Sequence, residues 1–365
     1  MLGPSKNILL VIGNGFDLQC KLKSGYKDFF AWLRQDNKWH NSFWGVHFLN
    51  NLPEGQDWTD IEQSLQETLT SKVNRNQSLL NSWVNTAADF YDRHGGYVIK
   101  QVDSEAVYIE NHMRESRIEG GTPTNYDSYW FLDQLIAFER QFSEYLQAAM
   151  ENNANYLSNA VKLMDLLMKD VVDSKKVNVI NFNYTNPFRS DHASPESNKL
   201  NDLVKDVTNV HGTYVDDNII FGVDTTFKPA SPDMDIFKKT HRKLSQKNLH
   251  PGALPPDVSK IKFYGHSLGE ADYSYFQSIF DCYDLYGGNL TYSESRNEQV
   301  ELQFYFSVYD EKRKTEIVRS TTDSVYKLIA TYGDSLDNKD KGKNLLHKLL
   351  LEGRVQISFL PDLEG

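Results

Sequence analysis

Cysteines, long hydrophobic runs and an excess of basic residues are all scarce or missing in this chain of 365 residues. Its two cysteines, Cys20 and Cys282, lack the C-x-x-C spacing of a zinc site and are too few for a disulfide framework. No apolar run approaches the roughly eighteen residues of a membrane-spanning helix, and no signal peptide is recognisable. Internal repeats and low-complexity tracts are also absent. We therefore expect a cytoplasmic protein with no membrane partner.

The charge balance is acidic, with 39 Lys and Arg residues against 50 Asp and Glu residues and a formal net charge of -11. Such a charge repels a phosphate backbone, so broad nucleic-acid binding is not expected. The exception is a local basic segment with Lys238, Lys239, Arg242 and Lys243. A small anionic ligand held by backbone N–H groups remains compatible with this charge. Hydrophobic residues make up 39% of the chain, enough for a sizeable core.

The stretch Asn7–Phe16, NILLVIGNGF, has the strongest local pattern in the chain. The aliphatic run Ile8–Ile12 shows no polar alternation, which indicates a central parallel strand covered on both faces. Gly13 and Gly15 then allow a tight turn and a close approach to a ligand, and the following helix offers N–H groups to an anion. Leu18 replaces the third glycine of G-x-G-x-x-G. The motif therefore predicts either a nucleotide loop or a structural turn.

A helical region follows this stretch. Ser24 is predicted to be the N-cap of a helix over Tyr26–Arg34. Thr59 and Glu62 fit a capping box, so Glu62 is expected either to cap a helix or to supply a carboxylate to a site. No convincing strand occurs up to about residue 169, which indicates a helical insertion at 51–174. Its predicted helices are Leu79–Tyr91, Ser128–Met150 and Tyr156–Met168, with Arg114–Tyr126 as a loop.

Strands alternate with helices in the second half of the chain, which predicts a doubly wound, mostly parallel α/β sheet of Rossmann-like type. Residues 1–50 and 175–365 are assigned to this nucleotide-binding-type domain. Gln299–Tyr309 and Thr315–Arg319 are predicted to form a hairpin. The other predicted strands are Lys176–Asn181, Val207–Val210, Ile219–Phe221, Lys260–Tyr264 and Val355–Phe359, and the predicted helices include Tyr273–Tyr286, Thr322–Tyr332 and Gly342–Leu351.

Polar residues and glycines follow four of the predicted strands. Ligands of open α/β sheets bind beyond the carboxyl ends of the strands, so these clusters predict one site. His211 is expected either to be a hydrogen-bonded structural residue or to act beside Gly212, and Asn183 is either a turn residue or a site residue. The four clusters are Gly13–Asp17, Asn183 with Thr185, His211-Gly212, and Gly265-His266-Ser267.

The segment Gly265–Gly269, GHSLG, also fits the nucleophile-elbow pattern G-x-S-x-G of serine hydrolases. Such an enzyme would need an acid and a histidine downstream, and His347 is the candidate histidine. His347 lies in a predicted helix with no loop to aim it at Ser267. The favoured alternative is that Ser267 and its loop hold a ribose or phosphate, with Asp272 orienting the next turn. The candidate acids are Asp310, Asp323 and Asp334.

Six motifs follow one another along the chain: GNGFDL (Gly13–Leu18), SGYKDF (Ser24–Phe29), WTDIE (Trp58–Glu62), FNYT (Phe182–Thr185), HG (His211-Gly212) and GHSLGEAD (Gly265–Asp272). In this order and spacing they resemble the AbiH family of bacterial phage abortive-infection proteins. The resemblance spans roughly Asn7 to Phe280. One departure is KLKSGY at Lys21–Tyr26, where the family usually reads something like GLPTSY.

The same motifs look like a remote version of the sirtuin-type nucleotide-binding fold, which includes defence-associated enzymes that hydrolyse NAD. By this resemblance Asn183 and His211 match the catalytic residues, while Thr185 stands at the sirtuin Asp and Asp17 at the sirtuin Ser. No zinc-binding cysteines are present, so a zinc-dependent deacylase is not expected. The implied nucleotide-binding residues are Gly13, Asn14, Gly15, Phe16, Asp17, Thr185, Gly212, Gly265, His266 and Ser267.

The resemblance implies a phage-defence protein that hydrolyses NAD or a related nucleotide. In that hypothesis Asn183 positions a water or the ribose, His211 acts as general base or ribose contact, and the Gly13–Gly15 loop holds the diphosphate. Glu62 and Asp272 are accessory candidates, and no metal is predicted.

Two alternatives use the same residues differently. One is a sensor that binds a nucleotide or phage component without turnover and signals through a partner protein. The sequence is also compatible with a homo-oligomer. The other is a nuclease, whose metal would be bound by the carboxylates Asp17, Glu62 and Asp272.

Overall fold

The computed structural model describes residues 7–51, 60–71, 128–171, 177–189, 194–224, 232–245, 254–287, 299–308 and 311–363. The chain divides into two compact units: unit 1 comprises 1–24, 148–213 and 250–365, and unit 2 comprises 25–147 and 214–249. Thr59, the predicted helix Leu79–Tyr91 and the predicted loop Arg114–Tyr126 lie outside the described residues. The domain boundaries expected from the sequence stay a prediction.

The described strands and helices have the following bounds. The strands are β1 (Asn7–Ile12), β2 (Val177–Asn181), β3 (Val204–Asn209), β4 (Val258–Tyr264), β5 (Glu301–Ser307) and β6 (Val355–Leu360). The helices are α1 (Gly15–Gln19), α2 (Tyr26–Arg34), α3 (Phe43–Asn50), α4 (Ile61–Ser71), α5 (Ser128–Glu151), α6 (Tyr156–Leu167), α7 (Pro195–Leu203), α8 (Lys239–Leu244), α9 (Tyr273–Cys282), α10 (Lys314–Ser335) and α11 (Lys339–Leu351).

Unit 1 is built on a six-stranded sheet with the order β3-β2-β1-β4-β5-β6. All five pairings between these strands are parallel. The predicted α/β fold with a parallel sheet is thereby confirmed, and the strand order is that of Rossmann-like folds. The order reverses between β1 and β4, so the segments after these two strands flank the point where such sheets bind ligands.

Helices cover both faces of this sheet, which explains why β1 has no polar alternation. Leu9 and Val11 lie in one buried cluster with apolar residues of α9, α10 and α11. Leu10 and Ile12 lie in a second cluster with apolar residues of α1, α6 and α7. Each strand residue is therefore buried whichever way its side chain points, as expected for a central parallel strand.

Unit 2 contains α2, α3, α4, α8 and the part of α5 up to Gln147. Its core is rich in aromatic rings, with Phe29 packed against Phe138, Phe142 and Tyr145 at centroid distances of 4.9–5.6 Å. Phe138, Phe142 and Tyr145 lie three or four residues apart in the long helix α5, so they share one face, which forms part of the core of this unit.

The basic segment is not an exposed positive face. Lys239 is 2% exposed and its Nζ lies 2.8 Å from Glu62 in α4, while the Arg242 guanidinium pairs with the buried Glu139 carboxylate in α5. These ion pairs fasten α8 to two helices of unit 2. Two of the four predicted basic residues are therefore unavailable to a phosphate backbone.

Three local predictions are wrong. Ile219–Phe221 is buried but is not a strand, because the Phe221 N–H donates to Glu139 and its carbonyl accepts from Arg242. Thr315–Arg319 is not a hairpin strand, since it lies in α10 and β5 pairs with β4 and β6. Ser24 is not the N-cap of α2: Gly25 is, while the Ser24 hydroxyl donates to Asn14.

Candidate functional site

The four predicted clusters lie at one edge of the unit 1 sheet, because each follows the carboxyl end of a parallel strand. Gly13 directly follows β1, Phe182 and Asn183 follow β2, and Gly265 directly follows β4. His211 follows β3 after one intervening residue. None of the described helices is long and apolar enough to span a membrane.

The glycines after β1 and β4 pack against each other. A Cβ on Gly15 would lie 2.5 Å from the Gly265 Cα, and a Cβ on Gly13 would lie 2.6 Å from the His266 Cα. The Gly15 N–H donates to the Gly265 carbonyl at 2.7 Å, and the Phe16 N–H donates to the Gly13 carbonyl at 2.8 Å. These amide groups, which were expected to hold a diphosphate, are therefore occupied within the fold.

Phe16, Asn14 and Gly212 also have roles within the fold. The Phe16 ring is 0% exposed and packs against Phe188 and Tyr264, so it belongs to the core. Asn14 is exposed, and its side-chain oxygen accepts the hydrogen bond from Ser24. Gly212 has φ +78°, a backbone conformation that favours glycine after His211.

Asp17 is a buried carboxylic acid rather than a surface group. It is 1% exposed, and its two oxygens accept hydrogen bonds of 2.6 Å from the hydroxyls of Tyr156 and Thr185. Burial raises its pKa to about 6, and the two hydrogen bonds oppose that rise only in part. Asp17 and Thr185, which belong to two of the predicted clusters, are thus in direct contact.

Asp272 joins two histidines. Its Oδ1 lies 2.9 Å from His211 Nε2 and its Oδ2 lies 3.3 Å from His266 Nε2. The backbone N–H of Leu268 donates to His266 Nδ1 at 2.9 Å, so the proton of a neutral His266 is on Nε2, facing Asp272. Asp272, an accessory candidate from the sequence, is the direct partner of two predicted site residues.

The same geometry assigns the tautomer of His211. A carboxylate only accepts hydrogen bonds, so His211 Nε2 carries the proton toward Asp272. The lone pair of a neutral His211 is then on Nδ1. A histidine oriented by a carboxylate in this way can serve as a general base.

Asn183 follows β2 and is 2% exposed. Its neighbours along the chain both contact His211, with Phe182 at 5.4 Å and Tyr184 at 6.2 Å between ring centroids. Within the described part of the chain, both polar atoms of the Asn183 side chain are buried without a hydrogen-bond partner. Buried polar groups normally have partners, so this amide is suited to a ligand or water.

A cavity of about 790 Å³ lies at the carboxyl ends of β4 and β5. Its walls include the loop Gly265–Leu268, the end of β5 and hydroxyl groups of α10 such as Ser320 and Ser324. Ser267, which is exposed, and His266 both line it. The size suits a nucleotide, and the position fits the ligand crevice of a doubly wound sheet.

Among the described residues, the structure assembles neither a serine triad nor a carboxylate trio, and the candidate acid Asp310 lies outside them. No hydrogen bond joins Ser267 to a histidine there, and a short 3₁₀ helix at Glu270–Asp272 separates the GHSLG loop from α9. No group of three or more His, Cys, Asp or Glu side chains arranged to bind a metal occurs in the described ranges. Asp17 and Asp272 have the partners given above, and Glu62 pairs with Lys239 in unit 2.

Two residues of this edge were missed at the sequence level. Tyr156 begins α6, where the sequence predicts a helix over Tyr156–Met168, and nothing local pairs it with Asp17. Asn181 is 0% exposed at the end of β2. A polar residue closing an aliphatic strand could have identified it, because a fully buried amide needs partners at the strand end.

A family model described as bacteriophage abortive infection AbiH matches residues 9–293 of the chain. The match includes the segments after β1, β2, β3 and β4 and therefore the whole polar cluster. No curated protein and no solved structure matched the chain.

Proposed function

The chain belongs to the AbiH family of bacteriophage abortive infection proteins, and from that premise we propose that it acts in phage defence by hydrolysing the glycosidic bond of NAD or a related nucleotide. The reaction would take place at the carboxyl edge of the unit 1 sheet. Asn183, His211 and Asp272 would carry it.

The unpartnered amide of Asn183 is the observation that carries this proposal. A buried polar group without a hydrogen bond costs about 1–3 kcal/mol. Both of its polar atoms are in this state in the described structure. A bound ribose or water would supply the missing partners, and the amide could both accept from and donate to it.

The pair of His211 and Asp272 supplies the base. Asp272 holds the proton of His211 on Nε2, which leaves the Nδ1 lone pair to accept a proton from water. The imidazolium that forms would be stabilised by the Asp272 carboxylate. His266 donates to the other carboxylate oxygen and keeps Asp272 in place.

The proposed step is a hydrolysis that balances without any further reactant. The bond between ribose C1′ and the nicotinamide nitrogen breaks, and its electron pair leaves with neutral nicotinamide. A water oxygen bonds to C1′, and its proton passes to His211 Nδ1. The products are nicotinamide, ADP-ribose and one proton, which His211 later releases to solvent.

The cavity beside the Gly265–Leu268 loop would take the rest of the nucleotide. With the N–H groups of Gly13 and Gly15 used inside the fold, the Gly13–Gly15 loop would serve as the floor of the site rather than as its diphosphate cradle. The exposed Ser267 and the α10 hydroxyls are the groups that would meet the ribose and phosphates.

Incubation of the protein with NAD, with free nicotinamide measured over time, tests the proposal. We expect turnover by the native chain and its loss in Asn183→Ala and His211→Gln. Matched controls are Asn178→Ala, a buried asparagine within β2, and His47→Gln, a buried histidine of unit 2. These controls should keep turnover at temperatures where all variants are folded. Absence of turnover by the native chain, also in extracts of infected cells, would overturn the proposal.

A sensor without turnover is the second candidate, and the position of the cavity favours it. Asn183 and His211 do not line the 790 Å³ cavity, so a nucleotide could bind there without meeting them. A rise in melting temperature with NAD or ADP-ribose, with no nicotinamide released, would support this alternative. Ser324→Leu, which narrows the cavity, should then abolish the rise.

A further inference from the structure

Asn181 holds together the two chain segments that carry the proposed catalytic groups. It is the last residue of β2 and is 0% exposed. Its side-chain oxygen accepts the backbone N–H of Asn183 at 3.0 Å. Its side-chain nitrogen donates to the Thr185 carbonyl at 2.6 Å. The turn Phe182–Thr185 is therefore closed from inside by one amide.

The same amide reaches the neighbouring strand. The Asn181 Nδ2 also donates to the Asn209 side-chain oxygen at 2.9 Å, and Asn209 ends β3 two residues before His211. The Asn181 carbonyl accepts the backbone N–H of Val210 at 2.8 Å. One residue thus fixes the turn of Asn183 and the segment of His211.

We propose that Asn181 is a positioning residue for hydrolysis, which sets the distance between Asn183 and His211; this inference rests on the proposed function. A base and a water-orienting amide must be held within a fraction of an ångström of their reacting geometry, and a displacement of about 1 Å costs on the order of 100-fold in rate. Asn181 touches neither substrate nor water and acts only through these two residues.

The chemistry of the contacts predicts how substitutions differ. Asn181→Ala removes all three side-chain hydrogen bonds. In Asn181→Asp, burial favours the neutral carboxyl group, whose carbonyl oxygen can accept the Asn183 N–H while its O–H donates to the Thr185 carbonyl. Only the donation to the Asn209 side chain is then lost. The Asp variant should therefore retain more activity than the Ala variant.

The experiment measures kcat and KM for NAD in the native chain, Asn181→Ala, Asn181→Asp and the control Asn178→Ala, all well below their melting temperatures. We expect kcat to fall about 10- to 100-fold in Asn181→Ala with little change in KM. Asn181→Asp should recover part of that loss, and Asn178→Ala should keep the native kcat. Hydrogen exchange of the segment 182–186 should accelerate in Asn181→Ala alone.

The outcomes separate this inference from the function on which it rests. Absence of turnover in the native chain overturns the proposed function, whereas turnover that Asn181→Ala leaves unchanged overturns the positioning role. An equal loss of kcat in Asn181→Ala and Asn178→Ala would also overturn it, because the effect would then be general to β2. Unchanged exchange in 182–186 would show that the amide does not hold the turn.

Discussion

Asp17 lies within the predicted nucleotide loop, yet its carboxyl group points into the protein. Tyr156 and Thr185 donate to both of its oxygens, and burial raises its pKa to about 6. Both of its oxygens are therefore engaged by hydroxyl groups of the fold. Its role is to tie the segment after β1 to the turn after β2, through Thr185.

The raised pKa of Asp17 predicts a pH-dependent stability. Its pKa of about 6 in the folded chain lies above the ordinary value of 3.8, so the folded state binds more protons between these limits. The protonated Asp17 side chain contributes to the free energy of unfolding fully below pH 3.8. This contribution, up to about 3 kcal/mol, is lost as the pH rises through 6. An amide in place of this carboxyl group has no charge to desolvate.

The free energy of unfolding should therefore respond to pH differently in Asp17→Asn. Relative to the native chain, we expect this variant to gain stability between pH 4.5 and pH 7.5, measured by urea denaturation. Asp165→Asn, which removes an exposed carboxylate paired with Lys199, is the control and should follow the native curve. Parallel curves for Asp17→Asn and the native chain would contradict the assignment.

Asp272 predicts a change in histidine tautomers when its carboxylate is replaced by an amide. Both of its oxygens accept N–H groups from imidazoles, and His266 is held in its Nε2–H form by Leu268. The side chain of the Asp272→Asn variant has only one acceptor oxygen. If that oxygen accepts the hydrogen bond from His266, the amide N–H₂ donates to His211 Nε2, and the proton of a neutral His211 moves to Nδ1. Nδ1 then has no lone pair with which to act as the proposed base. If that oxygen instead accepts the hydrogen bond from His211, the amide N–H₂ and the His266 Nε2–H are two donors that face each other.

Asp272→Asn should therefore lower kcat for NAD by about 100- to 10,000-fold. The ¹⁵N shifts of the imidazole nitrogens should report an exchanged tautomer in His211 or a broken contact at His266. Asp281→Asn, an exposed carboxylate of α9 that accepts a hydrogen bond from Tyr332 and contacts neither histidine, is the control and should leave both measurements unchanged. Native imidazole shifts in Asp272→Asn would show that the carboxylate does not set the tautomer.

The two loops after β1 and β4 act as one structural element. Gly265 has φ +68°, and a Cβ there would lie 2.5 Å from the Phe16 nitrogen. Gly269, in the same loop, has only the Ser267 hydroxyl near its Cβ position, at 3.5 Å. The glycines of the GNG and GHS motifs thus serve the contact between the loops.

Gly265→Ala should therefore destabilise the chain by about 2 kcal/mol or more, since backbone must move to admit the methyl group. Gly269→Ala should change stability by less than about 0.5 kcal/mol. Thermal unfolding followed by circular dichroism compares the two. Equal melting temperatures of Gly265→Ala and Gly269→Ala would show that the two loops can move apart at little cost. The glycines would then be better explained by ligand binding.

At the level of elements, the sequence predicted well where burial alone decides the conformation. Ile8–Ile12 is an aliphatic run that a central strand accommodates, and Val177–Asn181 is a short segment rich in β-branched residues; both form interior strands of the sheet. Thr315–Arg319 contains the β-branched residues Thr315, Ile317 and Val318, but no antiparallel neighbour exists for it among the described residues and it lies in the first turns of α10. Ile219–Phe221 is apolar enough for a strand, yet side chains from α5 and α8 occupy its backbone groups.

At the level of the whole molecule, the pairs that build the site are distant in sequence. Asp17 meets Thr185 across 168 positions, and His211 meets Asp272 across 61. No local pattern encodes these contacts, because they depend on strand order. The sequence could place the polar groups at strand ends, but only the order β3-β2-β1-β4 determines which strand ends are neighbours.

The final prediction concerns defence itself. Family membership connects the chain to abortive infection, and the proposed hydrolysis would give that activity a chemical basis. If hydrolysis is the effector, bacteria expressing Asn183→Ala or His211→Gln should lose phage protection at native protein abundance. Gly265→Ala should lose protection because the folded protein is depleted, and Asn178→Ala should still protect. Plaque counts, NAD levels during infection and immunoblots distinguish these causes. Full protection by a folded Asn183→Ala variant would show that the defence activity does not depend on this cluster. If the NAD level in those cells is also unchanged during infection, the defence activity does not depend on NAD hydrolysis.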